Sequence, residues 1–172
     1  MAQTQNTGVI KKRSVFLRVW EADEYDPEDD GRTHYHARVG KGFDIEGWVY
    51  DADRDYINKL VRRILKAEAP LPEKVVKAVD SIASYLVMVY QLGSTANAAS
   101  AGFEYNEREG LFFTAELFYG DDGRWGLEVR AVHARDNGRH ILTKRVVLSQ
   151  VTAEALRKVI ERTVRQAYNA YL

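Results

Sequence analysis

The clearest signal in the chain is a two-residue alternation in its second half. In Leu111-Phe112-Phe113-Thr114-Ala115-Glu116-Leu117-Phe118-Tyr119 the odd positions make a complete apolar face, and the even positions read Phe, Thr, Glu, Phe. A strand with that period buries Phe113 and stands the rings of Phe112 and Phe118 on the face that meets water. The first half repeats the arrangement. Val15, Leu17 and Val19 alternate with Phe16, Arg18 and Trp20, just after Lys11-Lys12-Arg13. Rings interleaved with guanidinium groups on an open sheet suit stacking against a flat, negatively charged polymer. The commoner fate of such rings is burial under a second layer or a subunit.

The pattern elsewhere predicts the remaining elements. Residues 1–13 are polar with a basic end and read as a flexible arm. A strand follows at about 14–20, then an acidic loop closed by Gly31, then strands at about 33–39 and 42–50 joined by Gly40-Lys41-Gly42. Asp51 or Asp53 caps a helix over about 54–68, with Ile57, Leu60, Val61, Ile64 and Leu65 as one apolar stripe. Pro70-Leu71-Pro72 ends it and opens a second helix over about 73–92, stopped by Gly93. Residues 93–102 are a small-residue connection. A meander of four strands comes next, at about 102–107, 110–119, 124–135 and 139–148, and its Asp136-Asn137-Gly138 turn is a hairpin signal resting on positive φ. Thr152 caps a last helix to about Tyr171. No internal repeat is visible, and 14–172 reads as a single domain. The order βββ-αα-ββββ-α predicts an α+β fold: an antiparallel sheet, built from the C-terminal meander and the N-terminal strands, packed with two central helices and a C-terminal helix.

Composition narrows the setting. A chain of 172 residues suits one domain with a real core. The absence of cysteine excludes disulfides and thiolate zinc sites and fits a reducing compartment or a heat-adapted protein. No signal segment opens the chain, and the apolar-rich stretch Ile82–Leu92 is too short to span a bilayer, so a soluble cytoplasmic protein is expected. Lys+Arg and Asp+Glu are equal at 25 each, which argues against a histone-like binder. The charge is segregated all the same: residues 21–30 hold seven acids and no base, whereas bases outnumber acids from Arg124 to Arg145. Local fields of that kind steer ligands.

Candidate chemistry is sparse. Asp26, Glu28, Asp30 and Gly31 mimic the start of an EF-hand loop, but its twelfth position is Ala37, which supplies no bidentate carboxylate. His34 and His36 share a strand face without a third ligand at a diagnostic spacing, so no metal site is assigned. His133 and His140 look like groove-edge or structural groups. Nucleophile-elbow, phosphate-loop and zinc-protease signatures are missing, and no cofactor is expected. The helix face Lys59, Arg62, Arg63, Lys66 reads first as a wet surface. Together with Arg124, Arg130, Arg135, Arg139, Lys144 and Arg145 it can flank a groove floored by Phe16, Trp20, Phe112, Phe118 and Trp125. Single strands bind that way, with bases stacked on rings and cations along the phosphates.

Tyr56-x-x-Lys59-Leu60-x-Arg62-Arg63-Ile64-Leu65, a second amphipathic helix with Ala78, Ile82 and Tyr85-Leu86, and the aromatic-rich sheet after it carry a family resemblance. Over roughly residues 50–150 this order resembles the archaeal single-stranded DNA-binding proteins of the ThermoDBP type, found in the Thermoproteales. The resemblance implies an α+β fold, a phenylalanine-lined cleft flanked by bases, a role in DNA replication and repair, and assembly through a C-terminal helical segment. It suggests Phe112, Phe113 and Phe118 as cleft residues and Arg62, Arg63 and Arg130 as flanking bases. For Phe113 it conflicts with the two-residue period, which buries that ring. This chain also ends in one short helix where a long zipper would be expected.

The resulting expectation is a non-enzymatic, sequence-tolerant binder of single-stranded DNA (or RNA), using Phe16, Trp20, Phe112, Phe113, Phe118 and Trp125 for stacking. Arg62, Arg63, Arg130, Arg139, Lys144 and Arg145 would meet phosphates. No membrane partner is expected, and a homo-oligomer, a dimer through helix 152–172, is. The alternatives are an interaction protein whose exposed aromatics form a subunit interface and, behind it, a metal-dependent nuclease using His34 and His36.

Overall fold

Two four-stranded meanders meet edge to edge in one antiparallel sheet. The first is β1 (Gln3–Ile10), β2 (Arg13–Glu21), β3 (Arg32–Val39) and β4 (Phe43–Tyr50). The second is β5 (Ala98–Asn106), β6 (Glu109–Tyr119), β7 (Trp125–Arg135) and β8 (Gly138–Val147). Between them the chain makes α1 (Arg54–Lys66) and α2 (Glu73–Gln91), and after β8 it makes α3 (Ala153–Tyr168). The order across the sheet is β1-β2-β3-β4-β8-β7-β6-β5, so the helices carry the chain from β4 to the far edge and the second meander returns to the centre. This is a computed structural model, and it describes residues 3–10, 13–22, 25–94, 98–106 and 109–171.

The α+β expectation holds, with two additions. Gln3–Ile10, read from sequence as a flexible arm, is an edge strand paired with β2. Thr and Asn side chains do not announce a strand, but the neighbouring β2 presents a free edge that backbone amides can pair with whatever their side chains. β5 likewise begins at Ala98, inside the stretch read as a connection, because Ala and Ser are small enough to lie beside Thr114 and Glu116 of β6. With both strands counted, each half is a four-stranded meander followed by helix, α1 and α2 after the first and α3 after the second. That repeat is one of topology and left no trace in the side chains.

All three helices pack on one face of the sheet. Leu17, Tyr35, Ile45, Phe113, Leu127 and Leu142 from the strands meet Ile57, Ile64, Val79, Leu86, Ile160 and Val164 from the helices in one core. Asp53, rather than Asp51, caps α1 by accepting the Tyr56 amide at 2.8 Å, and Thr152 caps α3 through the Ala155 amide at 3.2 Å. Leu156, Ile160, Val164 and Ala167 make the apolar stripe of α3, and the chain's own sheet consumes it. The Asp136-Asn137 turn uses no positive φ, contrary to the hairpin reading; Gly138 is instead required where a Cβ would stand 2.9 Å from the Trp48 carbonyl. Among the described residues no helix is long and apolar enough to cross a membrane.

Beneath the middle of the sheet lies a buried polar group. The Tyr35 hydroxyl and His140 Nδ1 are 2.6 Å apart, His133 Nδ1 donates to the Ala167 carbonyl at 3.2 Å, and the Tyr171 hydroxyl donates to the Gly138 carbonyl. His133 stacks on Tyr168 at 5.8 Å between centroids. Burial pushes His140 down to about 3 and His133 to about 4, and raises the Tyr35 and Tyr171 hydroxyls. Both histidines are therefore neutral structural groups that pin the C-terminal turn to the sheet.

Candidate nucleic-acid interface

No described α-helix packs on the other face of the sheet, and the single turn Pro27–Asp29 reaches it at His34 through Asp29. Strand pairing sorts its side chains into transverse rows. One runs Trp20, His34, Trp48, Arg139 across β2, β3, β4 and β8. The next runs Arg18, His36, Glu46, Ile141, Val132, Phe112. A third runs Phe16, Arg38, Asp44, Thr143, Arg130, Thr114, and a shorter one Arg145, Glu128, Glu116. Five strand spacings separate β2 from β6, so the second row spans about 24 Å. Rings and guanidinium groups thus share a broad face with carboxylates and aliphatic side chains, the outward rings of β2 and β6 standing where their alternation predicts.

The rings differ in how open they are. Phe16 and Phe112 are each 44% exposed, and neither has a ring or cation partner among the described residues. Phe112 leans over Gly102, where a Cβ would sit 3.2 Å from the ring. Trp20 is stacked on His34 at 5.6 Å with Arg18 over its ring at 4.8 Å. Arg32 lies 4.2 Å over Trp48. Phe118 is held between the backbone of Gly126, where a Cβ would strike the ring, and the Arg145 guanidinium at 4.2 Å. A base reaching Phe118 must displace that arginine; Phe16 and Phe112 are open already.

Charge on this face is mixed. Asp44 accepts from His36 Nε2 at 2.9 Å and pairs with Arg38 at 3.4 Å, and Glu128 pairs with Arg145 at 3.5 Å. Arg18, Arg130 and Arg139 are exposed and have no ion-pair partner among the described residues, so their positive charge is available to a ligand. His34 Nε2 is taken by Asp29 at 2.6 Å. The two histidines of β3 therefore face different carboxylates and do not converge, and among the described residues no His/Asp/Glu group is arranged to hold a metal ion.

The predicted site residues divide between the two sides of the sheet. Phe16, Trp20, Phe112, Phe118, Arg130, Arg139 and Arg145 stand together on the open face. Phe113 does not: it is fully buried in the core, so the two-residue period decides its place and the resemblance-based assignment is corrected. Trp125 turns to the helix side, edge-on to Tyr90 of α2 at 5.1 Å. Lys144 turns the same way, its Nζ 5.1 Å from the Phe43 ring. Arg62 is exposed on α1, behind the sheet, and Arg63 donates to the Ala170 carbonyl at 2.6 Å, a structural bond. The basic face of α1 and the exposed rings thus stand on opposite sides of the sheet. Trp48, Arg32 and Arg38 join the open face without having been named from sequence. The parity that puts Phe43 and Ile45 inside also puts Trp48 outside, and would have found it.

No known protein family, curated protein or solved structure matches this chain.

Proposed function

We propose that this protein is a non-enzymatic, sequence-tolerant binder of single-stranded DNA, with its ligand laid across the open face of the sheet. One observation carries the reading. Phe16 and Phe112 are open rings on a face that no described α-helix covers; Arg130 shares a row with Phe16, Arg18 shares one with Phe112, Arg139 lies in the Trp20 row, and none of the three has an ion-pair partner among the described residues. Bases stack on such rings at about 1–3 kcal/mol each, and arginines answer the phosphates. A duplex hides its bases and gains little from the rings, so single strands are preferred, RNA being the alternative polymer. Coating exposed strands in the cytoplasm during replication and repair is the role that the family resemblance implies. Trp20 and Trp48 report on this face. Titration with oligo-dT and with a matched duplex at two salt concentrations should quench their fluorescence, selectively for the single strand and steeply less at high salt. Absence of quenching, or salt-insensitive binding, removes the proposal.

A second reading is favoured by the four carboxylates Asp44, Glu46, Glu116 and Glu128 on the same face. Acids among arginines suit a protein surface of mixed charge better than a polyphosphate, and exposed rings suit a subunit interface. On that reading light scattering gives a stable oligomer, and Phe112→Ala dissociates it.

A further inference from the structure

We infer that the cleft between β8 and α3 is a binding site for a phosphoryl group. It lies on the helix side of the sheet, away from the open face, and encloses about 230 Å³ between Phe43, Lys144, Lys158, Arg162, Thr163 and Gln166. Three cationic side chains border a volume below the range of sites that enclose whole small-molecule ligands, which run from about 300 Å³ upward. The space fits a tetrahedral oxyanion with some of its water, and not an entire nucleotide.

The lining is built for an anion. Lys158, Arg162 and Gln166 stand four residues apart along α3, and that spacing puts them on one side of the helix. Gln166 is the decisive group. The residue is 5% exposed and lines the cleft; its carboxamide has no hydrogen bond to a described residue, and its polar atoms are open to the solvent of the cleft and not sealed in the core. An amide turned into a cationic cleft offers its NH₂ donors to whatever displaces that water. Thr163 is already committed to the Val159 carbonyl at 2.8 Å. Arg162 has no ion-pair partner among the described residues, and its fork matches a phosphoryl group bidentately. Lys158 is shared with Glu154 at 3.2 Å on the exposed helix surface, a pair that water screens and a ligand can reorganise. Lys144 closes the strand side over Phe43. Among the described residues no carboxylate lines the cleft.

Two sources present this chemistry: the terminal phosphate of a nucleic-acid strand, and free phosphate. Arg145, next to Lys144 in β8, stands on the open face, so consecutive residues of one strand present a cation to each side of the sheet. The site itself rests on its own residues and stands without the nucleic-acid reading.

The test is calorimetric titration of the intact protein with inorganic phosphate, against chloride at equal ionic strength. Saturable one-site binding, weakened about tenfold or more by Arg162→Ala and by Gln166→Leu, is expected, since each variant removes a charged or carboxamide donor. Gln166→Leu conserves volume and Arg162 is exposed, so both variants fold, as circular dichroism will verify. No saturable heat, or variants that bind like the parent, overturns the inference. A second arm compares oligo-dT with a 5′-phosphate and with a 5′-hydroxyl. A several-fold preference for the phosphate, lost in Arg162→Ala, identifies a strand end as the source. Equal affinity with the inorganic-phosphate site intact identifies free phosphate. If oligo-dT fails to bind at all, the phosphate titration still decides this site, so the two proposals fail separately.

Discussion

The Tyr35 hydroxyl reaches His140 Nδ1 at 2.6 Å although β4 runs between their strands, because the β4 residue in register with both is Gly47. A Cβ at Gly47 would run into the Arg139 carbonyl, so the glycine both lets β8 approach and clears the path for the hydrogen bond. Tyr35→Phe leaves a buried ring nitrogen without its partner and should cost about 1–3 kcal/mol of unfolding free energy, read from urea denaturation. Gly47→Ala, which forces backbone apart, should cost at least as much.

Acid should destabilise this protein earlier than its carboxylates require. His140 and His133 titrate at about 3 and about 4 in the fold, against 6.5 when exposed. Between those values the unfolded chain binds the extra protons. Stability is therefore fully present above about pH 6.5 and falls with pH by about 1.4 kcal/mol per unit for each histidine. Urea midpoints at pH 7, 6, 5 and 4 should show that fall, and His133→Gln should halve its slope. A profile flat from pH 7 to pH 5 contradicts the burial account.

Phe112 and Phe113 are neighbours in sequence with opposite duties. Phe112→Ala should lower affinity for oligo-dT by about 1–3 kcal/mol and change stability by about 0.5 kcal/mol or less. Phe113→Ala empties the core and should cost about 3–5 kcal/mol of stability. Parallel binding and denaturation measurements separate the two.

The bases should divide by the face they occupy. Arg130→Ala and Arg139→Ala should each weaken oligo-dT binding and reduce the slope of log affinity against log salt by about 1. Arg62→Ala, on the far side of the helical layer, should leave affinity and slope unchanged. An equal effect at Arg62 would place the ligand elsewhere.

Much of this arrangement was readable before any coordinates. Where one face of a strand is buried, period two decides burial residue by residue, so Phe112 out and Phe113 in follow from the alternation in β6. The helices were equally legible, since Ile57, Leu60, Ile64 and their flanking Asp53 obey the helical period and the capping chemistry. Alternation has no purchase on β1, whose Gln, Thr and Asn residues are strand-forming only because β2 offers an edge. The companionship of distant groups was invisible too. Arg62 and Arg130 look alike in a list of bases, and only the crossover of α1 and α2 puts the first behind the sheet and the second on it.

What the linear chain determined is the inward or outward direction of each side chain within its own strand or helix, because that depends on local geometry repeated every two residues or every 3.6. Tertiary structure alone decided which outward residues share a surface. Bringing β8 beside β4 sets Arg139 next to Trp48 and Thr143 next to Asp44, and turns two meanders into one continuous face. The same event lays α3 against β8 and places Gln166 beside Lys144. Those neighbours are separated by long stretches of chain, and hydrogen bonding between strands, not any nearby residue, brings them together.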